Sequence, residues 1–159
     1  MYESGLSTPA RIIFLIMAVL LGIVFIMTSG CRSANASDLN SKVVIETVSG
    51  TPHAFFLEWA DTPEKSRIGL SGRRFMPDNA GMIFVPATAV DMHMWMKDTL
   101  IPLDMLFFDN QGQVVFIHKN ARPNDLTPIS SGQVVRGVIE LKGGTCDRLQ
   151  IGVGSRIKF

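Results

Sequence analysis

DMHMWMKDT, running from Asp91 to Thr99, is the stretch on which the fold of this chain turns. Met92, Met94 and Met96 alternate with His93, Trp95 and Lys97. Soft thioether sulfur beside an imidazole is a ligand set suited to Cu(I). The same alternation is also a β-strand whose inner face is filled with methionine. In a strand, successive side chains point to opposite sides, so the three methionines share one face while His93, Trp95 and Lys97 share the other. One ion cannot be reached from both faces without a bulge. A copper site would therefore need the methionines alone, or His93 with sulfur from Met82 or Met105. Methionine is a flexible filler of apolar cores, and the strand is the reading that organises the rest of the sequence. Met92, Met94, Met96 and His93 stay as the metal alternative, and no cofactor is otherwise expected.

Working outward, short strands recur with turn signals between them. Lys42–Val48 and His53–Ala60 form a hairpin about the turn Ser49-Gly50-Thr51-Pro52. Asp61-Thr62-Pro63-Glu64 then opens a helix, with Thr62 as cap and Pro63 at the first helical position, where its missing N–H costs nothing. That helix is expected to close at Gly72. Gly81–Val85, Met92–Lys97, Asp104–Asp109, Gln113–His118, Val134–Leu141 and Ser155–Lys158 read as further strands. Residues 119–132 read as a long loop, and Thr145 as the cap of a second helix ending near Gly152. The pattern is that of a mainly β domain, a small barrel or sandwich with two short helices, spanning residues 42–159.

The start of the chain is different. Ile12–Met27 is an unbroken apolar run of 16 residues, preceded by Arg11 and followed by small and polar ones. This is the layout of a secretory signal, and it falls just short of the roughly 20 residues of a comfortable membrane span. Residues 1–30 are expected to be a signal peptide or a membrane-anchoring helix, and 31–41 a polar tether. Thr28-Ser29-Gly30-Cys31 resembles the bacterial lipoprotein processing motif, with Thr28 where leucine is usual, so Cys31 is a lipidation candidate. Cleavage after Ala34-Asn35-Ala36, before Ser37, and an uncleaved anchor are the alternatives. Each outcome places the domain outside the cytoplasm, in the periplasm, held to the membrane by its N-terminus or, if cleaved there, not at all.

From Ser37 onward, 13 Lys and Arg face 13 Asp and Glu. Without a basic stripe, nucleic-acid binding is disfavoured. Cys146 reads as a small buried apolar residue, and a bridge to Cys31 would need the tether to fold back. His53, His93 and His118 lie in separate segments and lack zinc-site spacing. There is no Gly-x-Ser-x-Gly elbow, no phosphate-cradling glycine loop and no paired Cys/His.

Several strings resemble a known family, domain of unknown function 192, from about Val43 to Phe159. They are Ala60-Asp61-Thr62-Pro63-Glu64 with Arg67, Gly69-Leu70 and Arg73; Gly81-Met82-Ile83-Phe84; and the long block Trp95-Met96-Lys97-Asp98-Thr99-Leu100-Ile101-Pro102-Leu103-Asp104. Ile139-Glu140-Leu141, Gly143-Gly144-Thr145 and Gly152-Val153-Gly154 complete the match. The resemblance implies a compact, mainly β domain, and no established activity comes with it. Relatives carry asparagine at the position of Asp98 and an apolar aromatic at that of Met94.

The polar residues of the central block suggest a ligand cleft on a connector held by strands. Its candidates are Arg67, Arg73, Trp95, Lys97, Asp98, Thr99, Asp104 and Glu140. Charged side chains are seldom buried unpaired, so Lys97 is expected to meet Asp104 or Glu140, and Arg67 or Arg73 to meet Asp61 or Asp98. Trp59 and Trp95 are aromatic faces on which a ring can stack. Three functions follow: a non-catalytic exported module that binds a small molecule or an envelope protein, a hydrolase using the acidic and basic residues of 97–104, or Cu(I) handling. A pocket that gathers Arg67, Lys97, Asp98 and Asp104 would favour the hydrolase, and the most informative observation is whether the 119–132 loop and the 97–104 connector frame one shared cavity.

Overall fold

A computed structural model describes residues 41–159. The expectations for residues 1–40, including the signal or anchor helix and lipidation of Cys31, lie outside the described residues. No helix among the described residues is long and apolar enough to cross a membrane.

Nine strands and two short helices make up the domain. They run β1 (Ser41–Glu46), β2 (Pro52–Trp59), α1 (Pro63–Ile68), β3 (Ala80–Phe84), β4 (Val90–Asp91) and β5 (Leu103–Phe108). Then come β6 (Val114–Ala121), β7 (Val134–Val135), β8 (Gly137–Lys142), α2 (Thr145–Arg148) and β9 (Arg156–Lys158). Seven strands form one sheet in the order β6-β5-β8-β3-β2-β1-β9, and β4 pairs with β7 as a separate ribbon. Within the sheet only β2 and β3 run parallel, and α1 lies in the crossover that a parallel connection requires. The sheet curls into a half-barrel. At one end its outer edges meet, where the Val114 amide donates to the Ser155 carbonyl at 2.8 Å and the Ile157 amide to the Gly112 carbonyl at 2.7 Å. Between barrel and sandwich, both open from the sequence, the chain builds this partly rolled sheet.

The central strands β3, β5 and β8 are buried along nearly their whole length, which is why they read as continuous apolar runs rather than alternating ones. Register sorts their side chains between two cores. Ile83, Ile139 and Leu106 stand side by side on one face and join Val43, Ile45, Phe55 and Leu57. Met82, Glu140 and Met105 stand side by side on the other. All six methionines after Ser41 belong to that second face: Met76, Met82, Met96 and Met105 inside it, Met92 and Met94 packed against it. Gly81 lets β3 and β8 approach closely, because a Cβ there would stand 2.3 Å from the Glu140 carbonyl oxygen.

The structure departs from the sequence reading at several boundaries. Met92–Lys97 is not a ladder strand. Only Val90–Asp91 pairs regularly, followed by one bridge between Met94 and Ile129. The alternation nevertheless holds, with Met96 buried, Met92 and Met94 half-buried, and His93, Trp95 and Lys97 exposed. Strand β6 runs on to Ala121, into what reads as loop. Val134–Leu141 splits at Arg136 because its two halves serve different sheets. Helix α1 ends at Ile68, not Gly72, since Gly69 adopts φ 53° and turns the chain away. Thr145 does not cap α2. The first amides there are met from a distance by the Asp104 carboxylate, which accepts from Gly144 N at 3.1 Å, Cys146 N at 2.8 Å and Asn120 N at 2.9 Å.

Candidate functional site

A cleft of about 290 Å³ opens between the segment Ser66–Ser71 and the segment Met92–Lys97. Local chemistry explains both walls. Thr62 accepts from the Lys65 amide at 3.1 Å and Pro63 starts the helix, so α1 forms without burying any of its residues. Past Gly69, Leu70 plunges into the core. The chain is then pinned to the opposite wall by Ser71 Oγ donating to the Lys97 carbonyl at 3.2 Å and Gly72 N to the Asp98 carbonyl at 2.8 Å. The second wall stays extended because its backbone bonds outward. Met94 and Ile129 exchange amide bonds at 2.8 Å, and Met96 N donates to the Asp125 carbonyl at 2.9 Å.

Phe84, Val85 and Pro86 close one side, and Glu140 from the centre of β8 lines the interior. Glu140 is only 4% exposed. Its carboxyl has no hydrogen bond or ion pair with another described residue. Burial pushes it up to about 8 from an ordinary 4.5, a rise that the positive charge of Arg73 only partly opposes. Near neutral pH it is therefore a neutral acid in an oily wall, between Met82 and Met105 on the neighbouring strands. Trp95, by contrast, is 57% exposed and lines the same cleft with Arg67, His93 and Lys97. His93 Nε2 lies 3.3 Å from an Asp91 carboxylate oxygen. Neither Arg67 nor Lys97 has an ion-pair partner among the described residues.

Of the residues proposed from sequence, Arg67, Trp95, Lys97, Thr99 and Glu140 line this cleft, and so do Met92, His93 and Met94. Met96 is in the core. Arg73 lies in an adjoining depression of about 200 Å³ beside Trp59 and Met82, where it pairs with Glu58 rather than Asp61 or Asp98. Asp61 pairs with Lys65. Asp98 and Asp104 do not line the cleft. Asp98 sits at φ 56°, the left-handed region in which Asn and Asp are the favoured side chains after glycine. The asparagine that the family resemblance implies at this position suits the same backbone. It serves the backbone there, and the exchange of amide for charge leaves that service intact. Asp104, fully buried, is spent on three backbone amides. Lys97 meets neither it nor Glu140.

The depression that the 119–132 loop lines, with His118 beside it, holds no residue of the 97–104 connector. Loop and connector are joined edge to edge, as where Asn124 N donates to the Thr99 carbonyl at 3.1 Å. Sequence reasoning missed the wall Phe84–Pro86, which carries no polar side chain to signal it. No cluster of three or more His, Cys, Asp or Glu side chains fit for a metal occurs among the described residues. Cys146 is buried and free, its thiol pushed up by burial and by the Asp104 carboxylate.

Together these features define a mainly β half-barrel domain with a cation-rimmed apolar cleft on its methionine face. The chain belongs to the domain of unknown function 192 family, described as an uncharacterized ACR, whose model matches residues 44–159. Two solved structures are similar. One, from Sinorhizobium meliloti 1021, is described as a candidate transcription regulator; it is 38% identical, with a TM-score of 0.72 over 74% of this chain and 91% of its own. The other, a protein of unknown function from Novosphingobium aromaticivorans DSM 12444, is 34% identical, with a TM-score of 0.71 over 74% of this chain and 84% of its own. No curated protein matches the chain.

Proposed function

We propose that this is an exported or membrane-tethered domain that binds a small anion with an apolar body, without transforming it. The observation that carries this reading is the cleft itself: two cations without ion-pair partners among the described residues and an exposed indole gathered over an apolar interior. Its volume lies at the lower edge of the roughly 300–1,000 Å³ typical of small-molecule sites. Export rests on the apolar run Ile12–Met27 and the candidate processing site at Cys31. A hydrolase with paired carboxylates is less well supported, because Glu140 is the sole carboxyl lining the cleft. The label of the Sinorhizobium relative transfers poorly, since the charges after Ser37 balance and supply no basic field for nucleic acid.

One observation favours a second reading: Met92, His93 and Met94 line the same cleft, as Cu(I) handling would need. Burial at the methionine face is the competing explanation of the same residues.

Isothermal calorimetry with 4-methylpentanoate tests the proposal on the full-length chain. Binding should weaken at least tenfold in the Arg67→Ala, Lys97→Ala double variant. Undiminished binding in that variant would remove the cleft from the account. Intact mass of the exported protein tests the location: a lipidated start at Cys31 or a start at Ser37 supports export by cleavage, and an intact N-terminus supports an anchor.

A further inference from the structure

Glu140 is the group that the cleft does not yet explain. It stands mid-strand in β8, its neighbours in register are the neutral Met82 and Met105, and the sheet gives it no hydrogen-bond partner. Enclosing a carboxyl this far costs free energy, and an aliphatic residue would fill the same place in the methionine face without that cost. Its oxygens are not sealed off, since the fully buried side-chain atoms without a partner among the described residues are His53 Nε2 and Trp59 Nε1. What distinguishes this position from its neighbours is that it lines the cleft. The charged and titratable groups that share its surroundings are Arg67 and Arg73 from α1 and the segment after it, and His93 and Lys97 from the opposite wall. Arg73 is paired with Glu58, which stands beyond Met82 in the same register row, and His93 lies beside Asp91. Arg67 and Lys97 are thus the cations without an ion-pair partner among the described residues.

Resting on the binding reading above, we propose that Glu140 is the second recognition group of the cleft. As a neutral acid it donates a hydrogen bond to an uncharged oxygen, a carbonyl or ether, of the same anion whose charge meets Arg67 and Lys97. The ligand class is thus a small oxygenated acid with an apolar tail. An amine-bearing ligand fits less well, because an ammonium would have to pass the cationic rim and shed its water among thioethers. An ionised Glu140 would instead repel both the acceptor oxygen and the anion. The carboxyl's rise to about 8 keeps the donor form dominant at neutral pH and removes it in mild alkali.

The test compares 4-methyl-2-oxopentanoate, 4-methylpentanoate and leucine by calorimetry on the full-length chain between pH 6 and pH 9, in the wild type and in Glu140→Gln and Glu140→Ala. The oxo acid should bind at least tenfold tighter than the plain acid at pH 7, and its affinity should drop severalfold between pH 8 and pH 9. Glu140→Gln, which keeps an N–H donor, should retain the preference and lose the alkaline drop. Glu140→Ala should lose the preference. If the two acids bind equally with no alkaline drop, the role of Glu140 is overturned while the cleft stands. Tightest binding by leucine, with release of a proton, would overturn the proposed polarity. Failure of every probe to bind would overturn the cleft reading as well.

Discussion

Replacing Asp104 is expected to unseat α2 and the end of β6 together. Its carboxylate receives the amides of Asn120, Gly144 and Cys146 at 2.9, 3.1 and 2.8 Å. The Cys146 bond is fully buried, whereas the other two lie where water can replace them. A buried donor left unsatisfied costs about 1–3 kcal/mol, and an amide bond that water can replace about 0.5–1.5 kcal/mol. Asp104→Ala should therefore lose about 2–6 kcal/mol. Asp104→Asn keeps one acceptor oxygen but sets an NH₂ against an amide that also donates, and should lose about 2–3 kcal/mol. Asp109 provides an internal control. It accepts amides from Gln111 and Gln113, but in a turn open to solvent, so Asp109→Asn should cost under about 1 kcal/mol. Urea unfolding at pH 7 measures both, as a shift in midpoint at unchanged slope. Equal losses for the two asparagine variants would refute the assignment of Asp104 to the scaffold.

Stability should fall as pH rises from about 5 to 8. Glu140 keeps its proton to about 8 in the folded state against 4.5 ordinarily, so over that window the native state binds more protons than the unfolded one. At about 1.4 kcal/mol per pH unit the ceiling is about 5 kcal/mol, and Glu140→Gln should flatten the profile in urea titrations; an unchanged slope in that variant would assign the trend to other groups. Asp98→Asn should change stability by less than about 0.5 kcal/mol, and Asp98→Val should cost about 1–2 kcal/mol, because only the latter is strained at φ 56°; thermal melts separate them. Gly81→Ala should be among the most damaging single-methyl changes, losing at least about 3 kcal/mol or soluble expression, since its Cβ has no room beside the β8 backbone. Purified chain mixed with Cu(I) and a competing chelator should keep no stoichiometric metal; retention that Met92→Ala or Met94→Ala abolishes would favour copper.

Much of the scaffold was legible because its signals are local. The β1–β2 hairpin, the Thr62-Pro63 start of α1 and the turn before β6 each depend on residues within a few positions of one another. Alternation in 91–97 correctly sorts methionine from His93, Trp95 and Lys97, although the segment makes one bridge instead of a ladder. What local pattern cannot report is partnership across the chain. Asp104 and Glu140 are both acidic residues in apolar strands, and sequence puts both in the cleft. Because side chains alternate, Asp104 stands in register with Leu141, and Glu140 with Met105, on opposite faces of the sheet. One meets the amides of α2, the other the cleft. Arg73 is likewise claimed by Glu58, fifteen positions earlier, which nothing in the local pattern announces. Cleft walls made of Gly69, Phe84 and Pro86 carry no chemical signature at all.

The most direct measurement of the central claim is a crystal structure of the chain grown with 4-methyl-2-oxopentanoate. The account predicts the carboxylate between Arg67 and Lys97, the tail against Trp95 and Met92, and an oxygen within hydrogen-bond distance of Glu140. Density for the acid elsewhere, with this space holding only water, would contradict it.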